Sequence, residues 1–325
     1  IVDNLGGEFS FMKNLLEVTG YKDMLSTLYV NDVKRRYTLF AVPNAVFTEA
    51  GIELNIASLA AYLGETDTNY DEEQNLVSRY VAYHIATTAY SYADLNADID
   101  NNTSKNITMA ASNSLMSCNL VNDAFYLNYD KGTQKGITVT EKNINCKNGV
   151  IHVVDGLLEE VVPKATTVKW DLTDYEELGA ICEKFQLANL SATYLYNYLG
   201  FDYPSCYAYS SSNFDYYLAN KNEVAYKCVN HDCLRFRFSK YGWIQMRTPM
   251  IIAGKYTVSL AHYNVAAKEK GGKWAVIIDG EYVGGQVTTT GESTSKSSYS
   301  TVKVGEVEFA ESVTHTVRFL SGSTE

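Results

Sequence analysis

The sequence predicts two domains, an α+β domain that combines a β-sandwich with helices, followed by a mainly-β sandwich. The 325 residues exceed the usual size of one domain. Helical periodicity dominates up to about residue 86, and strand-like alternation follows from about residue 105. From residue 234 onwards, short strands are separated by turns that contain Gly. We place the domains at residues 1–163 and 166–325, because the segment 163–167 between them has no apolar periodicity.

The helices of the first domain are predicted from one-sided apolar stripes. Apolar residues recur at helical spacing from Phe9 to Leu28, and Gly20 divides them into two short helices. Two more helices are predicted within 51–86, with the polar loop 64–75 between them. Their stripes are Ile56, Leu59, Ala60 and Leu63, then Leu76, Tyr80, Val81 and Ile85.

Two apolar runs predict buried strands of the first domain. Residues 37–42 end at Pro43-Asn44, where Asn44 is a candidate helix N-cap, and residues 150–154 follow Asn148-Gly149. Runs this apolar do not tolerate a sheet edge, so we expect 150–154 beside 39–42, in the same sheet or the facing one. Alternating patterns predict further strands near 107–109, 120–127, 137–139 and 157–162.

In the second domain a helix is predicted at 174–185, and a stretch dense in tyrosine follows at 194–226. Strands are predicted at 234–238, 243–247, 256–263, 274–278, 302–309 and 315–320. The intervening turns indicate antiparallel connections.

Three motifs in the first domain resemble those of fasciclin-like domains. Residues 37–47 (Tyr-Thr-Leu-Phe-Ala-Val-Pro-Asn-Ala-Val-Phe) are similar to the first signature, although Val42 is inserted before Pro43, so we expect an altered turn. The run Asn-Gly-Val-Ile-His-Val-Val-Asp at 148–155 resembles the second signature, and Tyr83-His84 resembles the Tyr-His motif of the middle helix. The motif residues, expected to be mainly structural, are Phe40, Pro43, Phe47, Tyr83, His84, Asn148, Gly149, Ile151, His152 and Asp155.

The fasciclin-like resemblance implies an extracellular adhesion or interaction module. In some animal relatives the Tyr-His region is linked to receptor binding, but the core-like neighbours Tyr80, Val81 and Ile85 favour a packed His84. The combination with a following sandwich resembles bacterial surface proteins. We therefore expect an exported protein, at the cell surface or anchored to the outer membrane. The chain starts at Ile1 without Met, which suggests a removed leader and is compatible with an N-terminal lipid anchor ahead of it.

The end of the second domain resembles the closing half of carbohydrate-binding jelly-roll modules, in residues 279–284 and 304–319. Tyrosine rings stack on sugars while their hydroxyls form hydrogen bonds, so a dense tyrosine segment is a candidate glycan platform. The alternative is that alternate tyrosines fill the sandwich core and its interface with the first domain. The candidate ligand-binding residues are Tyr194, Tyr196, Tyr198, Tyr203, Tyr207, Tyr209, Tyr216 and Tyr217.

Several function classes are not expected. A net charge of -11 argues against nucleic acid as a partner, and no apolar run is long enough to span a membrane. No catalytic or phosphate-binding motif occurs, so neither catalytic residues nor a cofactor are expected. No metal site is expected: Asp98 to Asn102 lacks the Gly and Glu of a calcium loop, and Cys228 and Cys233, lacking a second Cys pair, form a local disulfide or two buried thiols.

The sequence therefore predicts a non-enzymatic adhesion or glycan-binding protein at the cell surface. Its expected partner is a cell-surface or extracellular glycan, or another envelope protein. Two alternatives stay open, a structural spacer without a small ligand and a glycan-processing enzyme with an unrecognised site.

Overall fold

The computed structural model describes residues 1–30, 33–101, 103–173, 189–191, 213–219, 221, 227–228, 231–237, 241–264, 272–289 and 298–322. The chain divides into two compact units, Ile1–Val168 and Lys169–Glu325. The helix predicted at 174–185 lies outside the described residues, as does most of the tyrosine-dense stretch.

The first unit contains six helices and ten strands in its described part. Two short 3-10 turns, Val2–Asn4 and Gly7–Phe9, come first. The helices are α1 (Ser10–Val18), α2 (Tyr21–Ser26), α3 (Asn44–Glu49), α4 (Ile56–Leu63), α5 (Leu76–Ala82) and α6 (Tyr92–Asn96). The strands are β1 (Tyr29–Val30), β2 (Val33–Lys34), β3 (Tyr37–Ala41), β4 (Ile85–Ala86), β5 (Ser104–Thr108), β6 (Leu115–Val121), β7 (Ala124–Asp130), β8 (Lys135–Ile137), β9 (Val139–Cys146) and β10 (Gly149–Val154).

Helix boundaries follow from local chemistry. Gly20 has a φ of 78° and separates α1 from α2, as the sequence predicts. Gly64, also with a φ of 78°, ends α4 in the left-handed conformation that Gly adopts without steric cost. At their starts, Asn55 caps α4 by accepting from the Ser58 amide and Asn75 caps α5 by accepting from the Val77 amide.

Strands β3 and β10 form the centre of the first sheet, whose order is β4-β3-β10-β9. They pair in parallel, with Ile151 opposite Leu39 and His152 opposite Phe40. This confirms the prediction that the two apolar runs lie side by side, in the same sheet. A second, antiparallel sheet has the order β5-β6-β7-β8. Both sheets and the helices contribute residues to one hydrophobic core.

Three local predictions in this unit were wrong. Asn44 does not cap α3: Pro43 takes the N-cap position, while the Asn44 side chain accepts from the Phe11 amide at 3.0 Å and so ties α3 to α1. Ile85 belongs to strand β4 instead of continuing α5, because its backbone pairs with Leu39. Residues 157–162 form no strand.

Shortening one side chain of the central strand β10 tests whether that strand is buried. Ile151 is 1% exposed, so replacing it by Ala should cost about 2–4 kcal/mol through lost burial and the cavity left behind. The Tm of the first unit, followed by calorimetry, should fall, whereas Val162→Ala, at a side chain that is 82% exposed, should leave it nearly unchanged. An unchanged Tm in Ile151→Ala would contradict the assignment.

The second unit is built from strands in its described part. They are β11 (Asn189–Ser191), β12 (Asn213–Leu218), β13 (Asp232–Arg237), β14 (Trp243–Ile251), β15 (Gly254–Asn264), β16 (Lys273–Ile278), β17 (Glu281–Tyr282), β18 (Val287–Thr288), β19 (Ser298–Phe309) and β20 (Val313–Ser321). Each of the six strands predicted in this region overlaps one of them. All pairings among these described strands are antiparallel.

A long ribbon organises this unit. Strand β14 pairs with β20, and the following β15 pairs with β19. The pairing is interrupted between Ile251 and Gly254 on one side of the ribbon and between Phe309 and Val313 on the other. Alternate residues of β14, including Ile244 and Met246, are buried, which gives the strand one core face and one outer face. The region is therefore rich in antiparallel sheets.

Candidate functional site

A groove of about 360 Å³ opens on the surface of the first unit, and we call it the α4–α5 groove. Its residues come from the end of α4, from α5 and from the segment after β10. They are Tyr62, Leu63, Leu76, Arg79, Tyr80, Glu159 and Glu160.

One wall of the groove is the face of α5. Leu76, Arg79 and Tyr80 follow at spacings of three and four residues, which places them on one side of the helix. The Glu65 carboxylate fixes the preceding loop to the start of α5, because it accepts from the Leu76 amide at 2.7 Å and from the Thr66 amide at 2.7 Å. These backbone hydrogen bonds lower the pKa of Glu65.

The opposite wall is the segment 157–162, predicted as a strand. Leu158 is buried, and the guanidinium of Arg79 donates to both carboxylate oxygens of Glu160, at 3.1 and 2.6 Å. Ser114 donates to the same carboxylate. This segment is therefore fixed by side-chain hydrogen bonds and not by backbone pairing with a strand. The alternation of apolar residues in the sequence does not reveal such an arrangement.

Two phenols and a carboxylate also line the groove. The Tyr62 hydroxyl donates to Glu159 Oε1 at 2.7 Å, and Tyr62 is 45% exposed. Tyr80 is 4% exposed, and its buried hydroxyl has no hydrogen-bond partner among the residues that the structure describes. Burial, and then the nearby Tyr62 and Glu159, raise the pKa of Tyr80 well above its ordinary value. A buried hydroxyl without a partner is unusual in a folded protein.

The Tyr-His motif lies beneath this groove, in the core. Tyr83 is fully buried and donates to the Leu115 carbonyl at 2.9 Å, and burial raises its pKa to about 12. His84 is fully buried too, with Nδ1 2.7 Å from the Tyr80 carbonyl, and burial lowers its pKa to about 4. Neither ring reaches the surface, so the motif positions α5 and does not itself offer a contact face.

The second signature has structural contacts as well. His152 Nε2 lies 3.0 Å from the Tyr90 carbonyl, its ring stacks on Phe40, and burial lowers its pKa. The Asp155 carboxylate accepts from the Thr138 amide at 2.7 Å and from the Thr138 hydroxyl at 2.5 Å. The Asn148 side chain donates to the Leu25 carbonyl. Gly149 and Ile151 of this signature are buried, as is Phe47 of the first signature.

Of the predicted glycan-binding tyrosines, the structure describes the side chains of Tyr216 and Tyr217. Tyr216 is 4% exposed and donates to Asp232 Oδ2 at 3.0 Å, so its ring belongs to the core and not to an exposed platform. Tyr217, on the other face of β12, is half-buried, with the guanidinium of Arg235 4.0 Å from its ring centre. The candidates outside the described residues are Tyr194, Tyr196, Tyr198, Tyr203, Tyr207 and Tyr209.

A His-Asp pair in the second unit was not anticipated from the sequence. His315 Nδ1 lies 2.5 Å from Asp279 Oδ2, and the imidazole stacks on Phe309 at 3.8 Å. Burial alone would raise the pKa of Asp279, but hydrogen bonds from His315 and Thr316 outweigh it and lower that pKa. These contacts join the turn after β16 to strand β20, which indicates a structural role.

The described parts of the chain contain no cluster of His, Cys, Asp or Glu that could hold a metal ion. None of their helices is long and apolar enough to cross a membrane. Cys228 and Cys233 are half-buried and are not joined by a disulfide, so the alternative of a disulfide between them does not hold.

Comparison with known proteins identifies the first unit. Residues 7–160 match the family described as Fasciclin domain. No curated protein matches the chain.

Two of the solved structures that match show weak likeness. A FAS1 domain pair from the insect cell adhesion molecule fasciclin I is 19% identical with a TM-score of 0.37, over 49% of this chain and 49% of its own. The chain thus covers about half the length of that structure. The insecticidal crystal protein Cry2Aa is 12% identical with a TM-score of 0.22, over 28% of this chain and 14% of its own. Neither likeness bears on function, and the family match is what identifies the first unit: residues 7–160 are a fasciclin domain.

Proposed function

We propose that the chain is a non-enzymatic cell-surface adhesion protein whose second unit binds a glycan. The observation that carries the adhesion role is the fasciclin domain at residues 7–160, since fasciclin domains occur in cell adhesion proteins. The motif residues of this domain support its fold and offer no nucleophile with an adjacent base. A binding role follows more directly from this arrangement than a catalytic one.

The outer face of the second unit supports the glycan part of the proposal. One face of the sheet carries side chains of three strands, because residues paired across neighbouring strands point to the same side. Arg318 on β20 is paired with Gln245 on β14 and with Ile277 on β16, and Ile277 is paired with Tyr282 on β17. Trp243 lies two residues before Gln245 and so shares this face. The Arg318 guanidinium lies 4.3 Å from the Trp243 ring centre and donates to Gln245 Oε1 at 2.7 Å. Aromatic rings beside fixed polar groups are the combination that sugars recognise.

The folded ribbon β14–β15 with β19–β20 is compatible with a jelly-roll-like sandwich, the class to which the sequence pattern points. Tyr194, Tyr196, Tyr198, Tyr203, Tyr207 and Tyr209, which lie outside the described residues, remain candidate glycan-binding residues. We further propose that the protein is exported and acts at a bacterial cell surface or anchored to the outer membrane. Its partner there is an extracellular glycan or another envelope protein.

Affinity electrophoresis against a panel of polysaccharides tests the placement of the glycan site. We expect at least one polysaccharide to retard the intact chain and residues 166–325, but not residues 1–163. In the intact chain, Tyr282→Ala at a side chain that is 65% exposed should weaken the retardation, whereas Tyr29→Ala, 56% exposed in the other unit, should not. Retardation of residues 1–163 alone, or of neither part while the intact chain is retarded, would reject the placement.

A further inference from the structure

We propose that the α4–α5 groove binds a lysine side chain presented by a protein partner. This goes beyond the proposed glycan site, which lies in the other unit and uses different chemistry.

The charges of the groove favour a cation. Two carboxylates, Glu159 and Glu160, face one guanidinium, that of Arg79. Arg79 forms its ion pair with Glu160, at 2.6 Å. Among the described residues, the Glu159 carboxylate is left with a neutral donor, the Tyr62 hydroxyl. The lining therefore carries one net negative charge, on a chain whose net charge is -11. A positively charged partner is attracted by both.

The polar atoms of the groove match an ammonium group. An ammonium has three donors and no acceptor. The groove holds three suitable oxygen acceptors close together, the Glu159 carboxylate and the hydroxyls of Tyr62 and Tyr80. The Tyr80 hydroxyl has no partner among the described residues, and it is the polar group that gains most from a ligand. The exposed Tyr62–Glu159 hydrogen bond is weak in water, so an entering ammonium can replace it and reach the Tyr80 hydroxyl beneath.

The apolar part of the groove matches the stem of lysine. Leu63 and Leu76 line it, and Leu76 is 41% exposed although its side chain is fully apolar. A four-carbon stem buries itself along such a surface while its charged end reaches a polar site. Arginine fits less well, because its planar fork matches the two oxygens of one carboxylate, whereas the acceptors of this groove come from three different side chains.

NMR titration of the intact chain tests the proposal with Nα-acetyl-lysine N-methylamide as the probe. We expect saturable shifts at the backbone amides of Leu63, Leu76 and Tyr80. The norleucine analogue keeps the stem and lacks the charge, so it should bind at least about tenfold more weakly. The arginine analogue should bind about threefold more weakly or worse. A neutral hexose should shift none of these amides.

Three variants locate the binding. Glu159→Gln removes the unpaired charge and should raise the Kd about tenfold, and Tyr80→Phe removes one acceptor and should raise it about threefold. Glu17→Gln removes the same charge at an exposed ion pair with Lys22 and should leave the Kd unchanged. Equal binding of norleucine and lysine, an unaffected Kd in Glu159→Gln, or groove shifts caused by the hexose would overturn the proposal. Because Glu159 is on the surface segment, its variant remains informative even if Tyr80→Phe fails to fold. Polysaccharide retardation is a separate measurement, so either proposal can fail alone.

Discussion

Replacing Gly149 by Ala is expected to lower the free energy of unfolding of the fasciclin domain by about 4 kcal/mol. Gly149 begins β10 with a φ of 155°, and a Cβ there would lie 1.9 Å from the Tyr37 carbonyl oxygen on β3. Relief requires the two central strands to separate at the end where the Tyr37 amide donates to the Asn148 carbonyl at 3.0 Å. Overpacking costs roughly 1–3 kcal/mol and backbone strain roughly another 1–3 kcal/mol.

A second glycine separates these two contributions. Gly64 has a φ of 78° and nothing within 4 Å of the position that a Cβ would take. Gly64→Ala therefore introduces backbone strain without a close contact, and should cost about 1 kcal/mol.

The measurement must report on the first unit. The tryptophans, Trp170, Trp243 and Trp274, all lie in the second unit, so their fluorescence does not follow the unfolding of the fasciclin domain. Urea unfolding followed by the methyl NMR signals of Leu39 and Ile151 does. Equal losses of stability in Gly149→Ala and Gly64→Ala would show that the contact with Tyr37 does not matter.

The central sheet could be predicted from the sequence because its signals are local and redundant. A continuous apolar run flanked by Asn148-Gly149 and another ending at Pro43 both indicate fully buried strands. Two strands of that kind have few places in a sheet other than beside each other. Their parallel register, with Ile151 opposite Leu39, is not a local property and required the structure.

The groove could not be predicted, because distant residues create it. Leu76 and Tyr80 were identified as members of a helical stripe, yet their stripe does not distinguish a core face from the wall of a groove. Glu159 and Glu160 follow the last strand of the sheet, and nothing in that position indicates that Arg79 holds Glu160 or that Tyr62 binds Glu159. An Arg on α5 facing two consecutive Glu residues about eighty positions later becomes a signal only once the topology is known.

For the tyrosine-dense stretch, too, the sequence could predict only part of the arrangement. Two adjacent tyrosines on a strand point to opposite faces, so one of Tyr216 and Tyr217 had to face inwards. The sequence could predict that the two side chains alternate between the faces. It could not predict that Tyr216 is the buried one, because this depends on its pairing with Leu234 on β13.

The fasciclin domain should lose about 3 kcal/mol of stability as the pH falls from above 6.5 to 4, through His84 alone. Burial lowers the pKa of His84 from 6.5 to about 4. In the unfolded chain the imidazole titrates near its ordinary value, so between these two pH values the unfolded state binds more protons than the folded state. The stability that the neutral His84 contributes is therefore fully present above pH 6.5, and it is lost as the pH falls through the pKa of His84 in the folded protein, about 4. His152, whose pKa is also lowered by burial, adds to the loss with the same sign.

His84→Asn tests this contribution, since Asn keeps a donor for the Tyr80 carbonyl, now 2.7 Å from Nδ1, and cannot titrate in this range. The variant should be less stable than the parent at pH 7, because it leaves a cavity. Its unfolding free energy should nevertheless decline less steeply between pH 6.5 and 4, by about 3 kcal/mol in total. The control His231→Asn changes an exposed imidazole of the second unit and should leave the pH dependence of the first unit as it is. Urea unfolding at a series of pH values, read from the methyl signals of Leu39 and Ile151, gives these slopes. An NMR titration in which His84 of the folded protein has a midpoint near 6.5 would contradict the burial argument at its first step.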